Sequence, residues 1–176
     1  MHHSLENVPK SKASLTSVKT TSTSIYITPM MQAEVDMMSG ILCAEERDYN
    51  TAFSYFYEAY ETYRVGGHRY TTRALKYMLL AKTMDNKTDD VFALLNSGID
   101  NKYMTPDIEA MRRVASANKN RSLVEFEKCL EEYDEQLVRD KIIKHHIKDL
   151  YSLLFESNLK KLVEPYSEVQ LDYISK

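Results

Sequence analysis

The chain has 176 residues, of which 43% are hydrophobic and 28% are charged, with a formal net charge of -3. This is the composition of a globular protein, and four glycines and four prolines disfavour an all-β fold rich in tight turns and exclude Gly-rich phosphate loops. The charge gives no general attraction to nucleic acid, and no apolar run approaches the roughly 20 residues that cross a bilayer.

The N-terminal residues lack the apolar core of a signal peptide. Two cysteines, Cys43 and Cys129, lie far apart in the sequence. They are predicted to be buried, reduced thiols in a protein of the cytoplasm and nucleus rather than a disulfide.

Residues 14–24 read SLTSVKTTSTS, a composition that alone fits a flexible linker. Apolar residues on both sides nevertheless follow an interrupted helical stripe: Leu5, Val8, Leu15, Val18 and Ile25. The stripe favours a helix for this segment.

A helical hairpin follows. Thr28-Pro29 is a helix start, with a hydroxyl N-cap before a proline at the first helical position, and we predict helices over residues 29–47 and 51–63. Small, small, aromatic and small residues occupy the spacing of a tetratricopeptide-type hairpin at Gly40, Ala52, Phe56 and Ala59. An ordinary amphipathic hairpin is the alternative.

The turn at residues 65–68 (VGGH) is the predicted internal boundary. Helices then follow over residues 72–84, from Thr88 to Gly98 and from Thr105-Pro106 onward. Ser122 with Glu125 forms a capping box before one further helix. Its apolar residues alternate by three and four: Leu123, Phe126, Leu130, Tyr133 and Leu137.

The last quarter carries one long amphipathic helix, which Pro165 is predicted to end. Ser167 and Gln170 then form a second capping-box start, and the sequence stops about two turns later. We expect the chain to be a fragment. The elements together predict an all-α fold of about eight antiparallel helices, either a helical-repeat solenoid or an irregular helical array.

The residues give no catalytic, cofactor-binding or metal-binding constellation. Neighbouring helical side chains point about 100° apart, so His145 and His146 are interpreted as solvated or packing residues. A cluster of carboxylates at Glu45, Glu46 and Asp48 fits a solvated turn as well as it fits an acid-base pair. We therefore predict that the chain is not an enzyme and needs no cofactor.

Lysines make the late helix locally basic: Lys141, Lys144, Lys148, Lys160 and Lys161. A solvated face explains them most simply, an acidic protein partner comes next, and RNA is third.

Several stretches resemble the non-ATPase subunit eleven family of the proteasome regulatory particle. They are residues 12–21 (KASLTSVKTT), 55–61 (YFYEAYE), 75–82 (LKYMLLAK), 119–128 (KNRSLVEFEK) and 164–170 (EPYSEVQ). The resemblance covers nearly the whole chain, although residues 99–102 (IDNK) are more polar than the family's equivalent segment.

The resemblance implies a PCI-domain scaffold, in which helical repeats run into a winged helix. Tetratricopeptide-like repeats would occupy residues 1–66, the helical half of the PCI domain residues 67–166, and the start of a truncated winged helix residues 167–176. The implied partners are lid and base subunits of the proteasome, with no nucleic acid, membrane or small-molecule substrate. The role would be to hold lid, base and core particle together for ubiquitin-dependent degradation.

Three alternatives remain at this point. A PCI subunit of the COP9 signalosome shares the hairpin and the LKY helix, but fits residues 119–123 less well. A free helical-repeat peptide binder would show a groove lined with polar side chains. A small enzyme would show a buried cluster of perturbed titratable groups in a cleft.

Overall fold

A computed structural model of the chain describes residues 13–14, 17, 28–97, 99 and 101–163. Between Pro29 and Val163 the described residues form only helices and turns. The α-helices are α1 (Pro29–Glu45), α2 (Tyr49–Val65), α3 (Thr71–Met84), α4 (Thr88–Ser97), α5 (Pro106–Asn120), α6 (Leu123–Glu132), α7 (Asp134–Val138) and α8 (Lys141–Val163), with a 3₁₀ turn at Asn101–Tyr103. The predicted all-α fold is confirmed. Pro165 and residues 167–176 lie outside the described residues.

Side-chain caps explain where several helices begin. The Thr28 hydroxyl accepts a hydrogen bond from the Met31 amide at 3.4 Å, and the Ser122 hydroxyl accepts one from the Glu125 amide at 3.2 Å. These two starts were predicted. Asp48 caps α2 in the same way, through the Thr51 amide. Helix α5 begins at Pro106 as expected, but the Thr105 side chain makes no capping bond, so proline geometry sets that start.

The single helix predicted to run through Leu137 is wrong: it is two helices. The chain leaves helical geometry at Tyr133, where φ is -117° and ψ is 30°. In the short helix α7 that follows, Leu137 is buried and the Gln136 carbonyl accepts a hydrogen bond from Lys76 Nζ of α3. The hydrogen bond joins residues sixty positions apart, so local periodicity does not encode it.

The hairpin of α1 and α2 is closed by one very tight contact. A Cβ placed on Gly40 would lie 2.5 Å and 2.7 Å from two ring carbons of Phe56, distances that real Cβ atoms do not reach. Phe56 is 3% exposed, while Ala52 and Ala59 are fully buried. The ring of α2 therefore rests directly on the backbone of α1.

Helix α3 lies at the centre of the fold. Eleven of its fourteen residues are buried, and it packs against α2 on one side and against α4, α5 and α8 on the others. The Phe56 ring meets the Tyr77 ring edge-on, with centroids 5.4 Å apart. One continuous core extends from Ala33 to Leu154, so the hydrophobic contacts continue across the turn at Gly66.

We expect Gly40→Ala to destabilise the fold by roughly 1–3 kcal/mol, because the added methyl group overpacks the Phe56 ring. Phe56→Ala should cost roughly 3–5 kcal/mol by leaving a cavity. In the double variant the methyl group has room, so the two losses should be clearly less than additive. Urea unfolding measures all three.

Gly66→Ala is the matched control. Its Cβ would make ordinary van der Waals contacts, with the flexible end of Met30 at 3.4 Å and with the carbonyl oxygens of Thr62 at 3.5 Å and Tyr63 at 3.9 Å, and its φ of -77° suits any residue. This variant should unfold like the parent. Additive losses at Gly40 and Phe56 would show that the crossing is not as close as described.

Candidate functional site

The described side chains meet few of the requirements of a metal site or a reactive thiol. No group of three or more His, Cys, Asp or Glu residues within the described ranges is arranged to hold a metal ion. Burial raises the pKa of the Cys129 thiol to about 11, so it stays protonated at neutral pH and is a poor nucleophile. Cys43 is half-buried and forms no disulfide within the described residues.

A buried ammonium group ties α3 to two other helices. The Lys76 side chain is 7% exposed, and its Nζ donates to Asp107 Oδ1 of α5 at 2.8 Å. The same Nζ donates to the Gln136 carbonyl of α7. A buried charge is tolerated only when it is paired and hydrogen-bonded, so Lys76 fixes the positions of α5 and α7 relative to α3.

A second polar cluster joins α3 to the start of α8. The Tyr77 hydroxyl donates to Asp140 Oδ2 at 2.6 Å, and Arg73 Nη2 donates to the Tyr77 oxygen at 2.9 Å. Asp140 Oδ1 accepts from the Ile142 amide at the first turn of α8. Burial, followed by the nearby Asp140 charge, raises the pKa of Tyr77, so the phenol remains a donor.

A third cluster lies where α1 meets α8. Glu45 Oε1 is 3.6 Å from His146 Nε2, and Glu45 Oε2 is 3.9 Å from His145 Nε2. The Glu45 side chain is only 11% exposed, so its interpretation as part of a solvated turn is wrong. Glu46 and Asp48 are exposed, as expected.

His146 is a packing residue, one of the two roles expected for it. It is 2% exposed, and the ring of Tyr49 meets it edge-on at 6.1 Å. Burial, with a smaller contribution from His145, lowers its pKa to about 4. The approach of Glu45 was missed because the two residues are a hundred positions apart, although the position of His146 between Ile143 and Leu150 marks the buried face of α8.

A shallow groove separates α8 from the C-terminal ends of α3 and α5. Its volume is about 170 Å³, and its lining includes Met84, Asn118, Arg121, Leu150 and Leu153. Small-molecule sites usually enclose roughly 300–1,000 Å³, so this groove is small for such a ligand.

Within the described residues, no helix has the length and apolar character needed to cross a bilayer.

Comparisons with known proteins give a consistent result. The PCI domain family matches residues 130–176. The chain is 48% identical over 177 residues to "26S proteasome non-ATPase regulatory subunit 11" of Dictyostelium discoideum, covering 100% of this chain and 43% of the relative. It is 44% identical over 175 residues to the "26S proteasome non-ATPase regulatory subunit 11 homolog" of Arabidopsis thaliana, covering 99% of this chain and 42% of the relative.

A third relative is the "26S proteasome regulatory subunit RPN6" of Saccharomyces cerevisiae, 44% identical over 185 residues, covering 100% of this chain and 42% of the relative. The family resemblance predicted from the sequence is confirmed. The chain spans about two fifths of the length of these curated relatives.

The depressed pKa of His146 predicts a specific loss of stability in acid. In the unfolded chain His146 takes up a proton near pH 6.5, whereas in the folded chain it does so only near pH 4. The unfolded state thus binds more protons in this window, and the free energy of unfolding should fall as pH falls, by on the order of 2–3 kcal/mol between pH 7 and pH 4.

Urea unfolding at several pH values measures this slope. His146→Leu should flatten it, whereas His145→Gln, at a side chain that is 43% exposed, should reduce it only slightly, because His145 makes the smaller contribution to the lowered pKa of His146. An unchanged slope in His146→Leu would show that other groups cause the acid sensitivity.

Proposed function

We propose that this chain, which is homologous along its whole length to the subunit 11 regulatory proteins of the 26S proteasome, is a non-catalytic scaffold of the regulatory particle lid. In this role it holds neighbouring lid and base subunits in position, and thereby lid, base and core particle, for ubiquitin-dependent protein degradation. Its expected location is the cytoplasm and nucleus, where such an assembly works.

The observation that carries the proposal is identity of 44–48% over essentially the full chain. A match that covers essentially the whole chain is expected when a whole module is reused. The PCI match at residues 130–176 supports the same role.

The architecture suits a scaffold. A scaffold must keep surfaces at fixed separations, and the polar clusters at Lys76, Tyr77 and Glu45 each join helices that are distant in sequence. The residues predicted to have a packing role lie in the core. Ala52, Phe56, Ala59 and Phe126 are buried, and Gly40 lies directly beneath the Phe56 ring. Pro165, the remaining predicted position, lies outside the described residues.

We further propose the following organisation: tetratricopeptide-like repeats over residues 1–66, the helical half of a PCI domain over 67–166, and the start of a winged helix over 167–176. The partners are proteasome lid and base subunits. A signalosome subunit is less well supported, because the three relatives described above are all proteasome subunits.

A chimera tests this function without depending on where the chain begins or ends. We would replace the matching segment of the yeast RPN6 protein with this chain and isolate the chimera through an affinity tag. Mass spectrometry should find the other lid subunits in the same stoichiometry as with unaltered RPN6. This outcome is expected because the chain is 44% identical to that protein over the chain's whole length.

The Gly40→Leu chimera is the control for folding, since it disturbs the hairpin core. A chimera that folds, by its circular dichroism and melting temperature, yet isolates without lid subunits would contradict the proposal.

A further inference from the structure

One exposed face of α8 carries three lysines and then a phenylalanine. Lys141, Lys144, Lys148, Ser152 and Phe155 follow one another at spacings of three and four residues, which places them along one side of the helix. All five are exposed. We refer to these five residues as the lysine strip.

The buried face of the same helix points the other way. It contains Ile143, His146, Ile147, Leu150 and Leu154, all 4% exposed or less. The core therefore fixes the orientation of α8, and the lysine strip faces away from the rest of the described structure.

The three lysines form no ion pair within the described part of the chain, in contrast to several other surface cations. Lys82 pairs with Asp90 at 2.8 Å, Lys87 with Asp85 at 2.7 Å and Lys119 with Asp89 at 2.6 Å. Like charges three and four residues apart destabilise a helix by roughly 0.2–0.5 kcal/mol per pair. The strip thus carries a cost in a chain whose net charge is -3.

The apolar end of the strip is also uncovered. Phe155 is 45% exposed, one turn beyond Ser152 on the same face. Solvation explains lysines on a helix surface, but it does not explain an aromatic ring in line with them. Aromatic side chains are enriched in protein interfaces, and the rim around them is polar.

We infer that the lysine strip is a docking surface for an acidic segment of a partner protein. Acidic side chains of the partner pair with Lys141, Lys144 and Lys148, and an apolar side chain packs on Phe155. The inference rests on the proposed function only for the assembly in which the partner is found. The acidic and apolar character of the partner is inferred from the lysines and the exposed ring.

The dimensions specify the partner further. From Lys141 to Phe155 the strip spans fourteen residues, or about 21 Å at 1.5 Å per residue. A partner helix of about four turns matches this length, with Asp or Glu at spacings of three and four and a leucine or phenylalanine in its last turn.

RNA fits the strip less well. Single-stranded nucleic acid is held by aromatic rings interleaved with cations along the strand, whereas here the ring stands at one end. Glu156 follows Phe155 directly, and Glu127 accepts a hydrogen bond from Tyr151 on the neighbouring helix face. These carboxylates would repel phosphate near the ring.

The first experiment measures direct binding to the chain. The probe is a fluorescein-labelled helical peptide of sixteen residues, with glutamates at spacings of three and four and one leucine in its last turn. Fluorescence anisotropy should show saturable binding that weakens from 50 to 300 mM salt, because exposed charge pairs are screened. A peptide of the same composition in scrambled order should bind at least about fivefold more weakly, since several weak pairs must form together.

Matched variants locate the binding. Replacing Lys141, Lys144 and Lys148 together by glutamine should weaken binding at least about tenfold. Replacing Lys87, Arg112 and Lys119 by glutamine removes the same charge elsewhere and should change it less than about twofold. Phe155→Ser should weaken binding of the leucine peptide, but not of a peptide with serine in place of leucine.

Three results would overturn the inference. They are no saturable binding, equal binding of the scrambled peptide, or equal losses in the two triple variants. Tighter lysine-dependent binding of polyuridylate than of the peptide would instead assign the strip to RNA and refute the protein partner.

The second experiment separates this inference from the proposed function. Benzoylphenylalanine at Ser152 of the RPN6 chimera should crosslink to a lid or base segment that is acidic and contains an apolar residue, whereas the same probe at Glu46 should not reach that segment. An assembled chimera without this crosslink contradicts the docking surface and leaves the scaffold function standing. A chimera that fails to assemble counts against the scaffold function, while the peptide measurement still decides the strip.

Discussion

The Lys76 ammonium is the constraint on which the arrangement of the later helices depends. With its side chain 7% exposed, it loses nearly all hydration, and an unpaired ion in that position would cost several kcal/mol. Asp107 and the Gln136 carbonyl supply its partners. Because these come from α5 and α7, the buried charge specifies where both helices lie relative to α3.

Helix α3 also connects the hairpin of α1 and α2 to the later helices. Gly40 lets Phe56 approach the backbone of α1, Phe56 meets Tyr77, and Tyr77 donates to Asp140 at the start of α8. Each step is a direct contact, so helices from both sides of the turn at Gly66 share one core. Such a continuous core suits a protein whose proposed function is to hold neighbouring subunits in position.

Features that depend on residues close together in the sequence could be predicted. The starts at Thr28 and Ser122 were predictable because a cap involves residues three positions apart. The contacts of Lys76 with Gln136 and of Glu45 with His146 were not predictable. The first joins residues sixty positions apart, and the second joins residues about a hundred positions apart. The family resemblance supplied the proposed function, which helical periodicity alone left open among scaffold, peptide binder and enzyme.

Native-state hydrogen exchange in increasing urea tests most directly whether the hairpin, α3 and α8 form one cooperative unit. Amides in the middle of α2, α3 and α8, such as those of Ala59, Leu79 and Leu150, report the free energy and denaturant dependence of opening for each helix. The account predicts that all three converge on the same global opening, with the same free energy and slope. Opening of α2 at a lower free energy and with a smaller slope, while α3 and α8 stay protected, would contradict it.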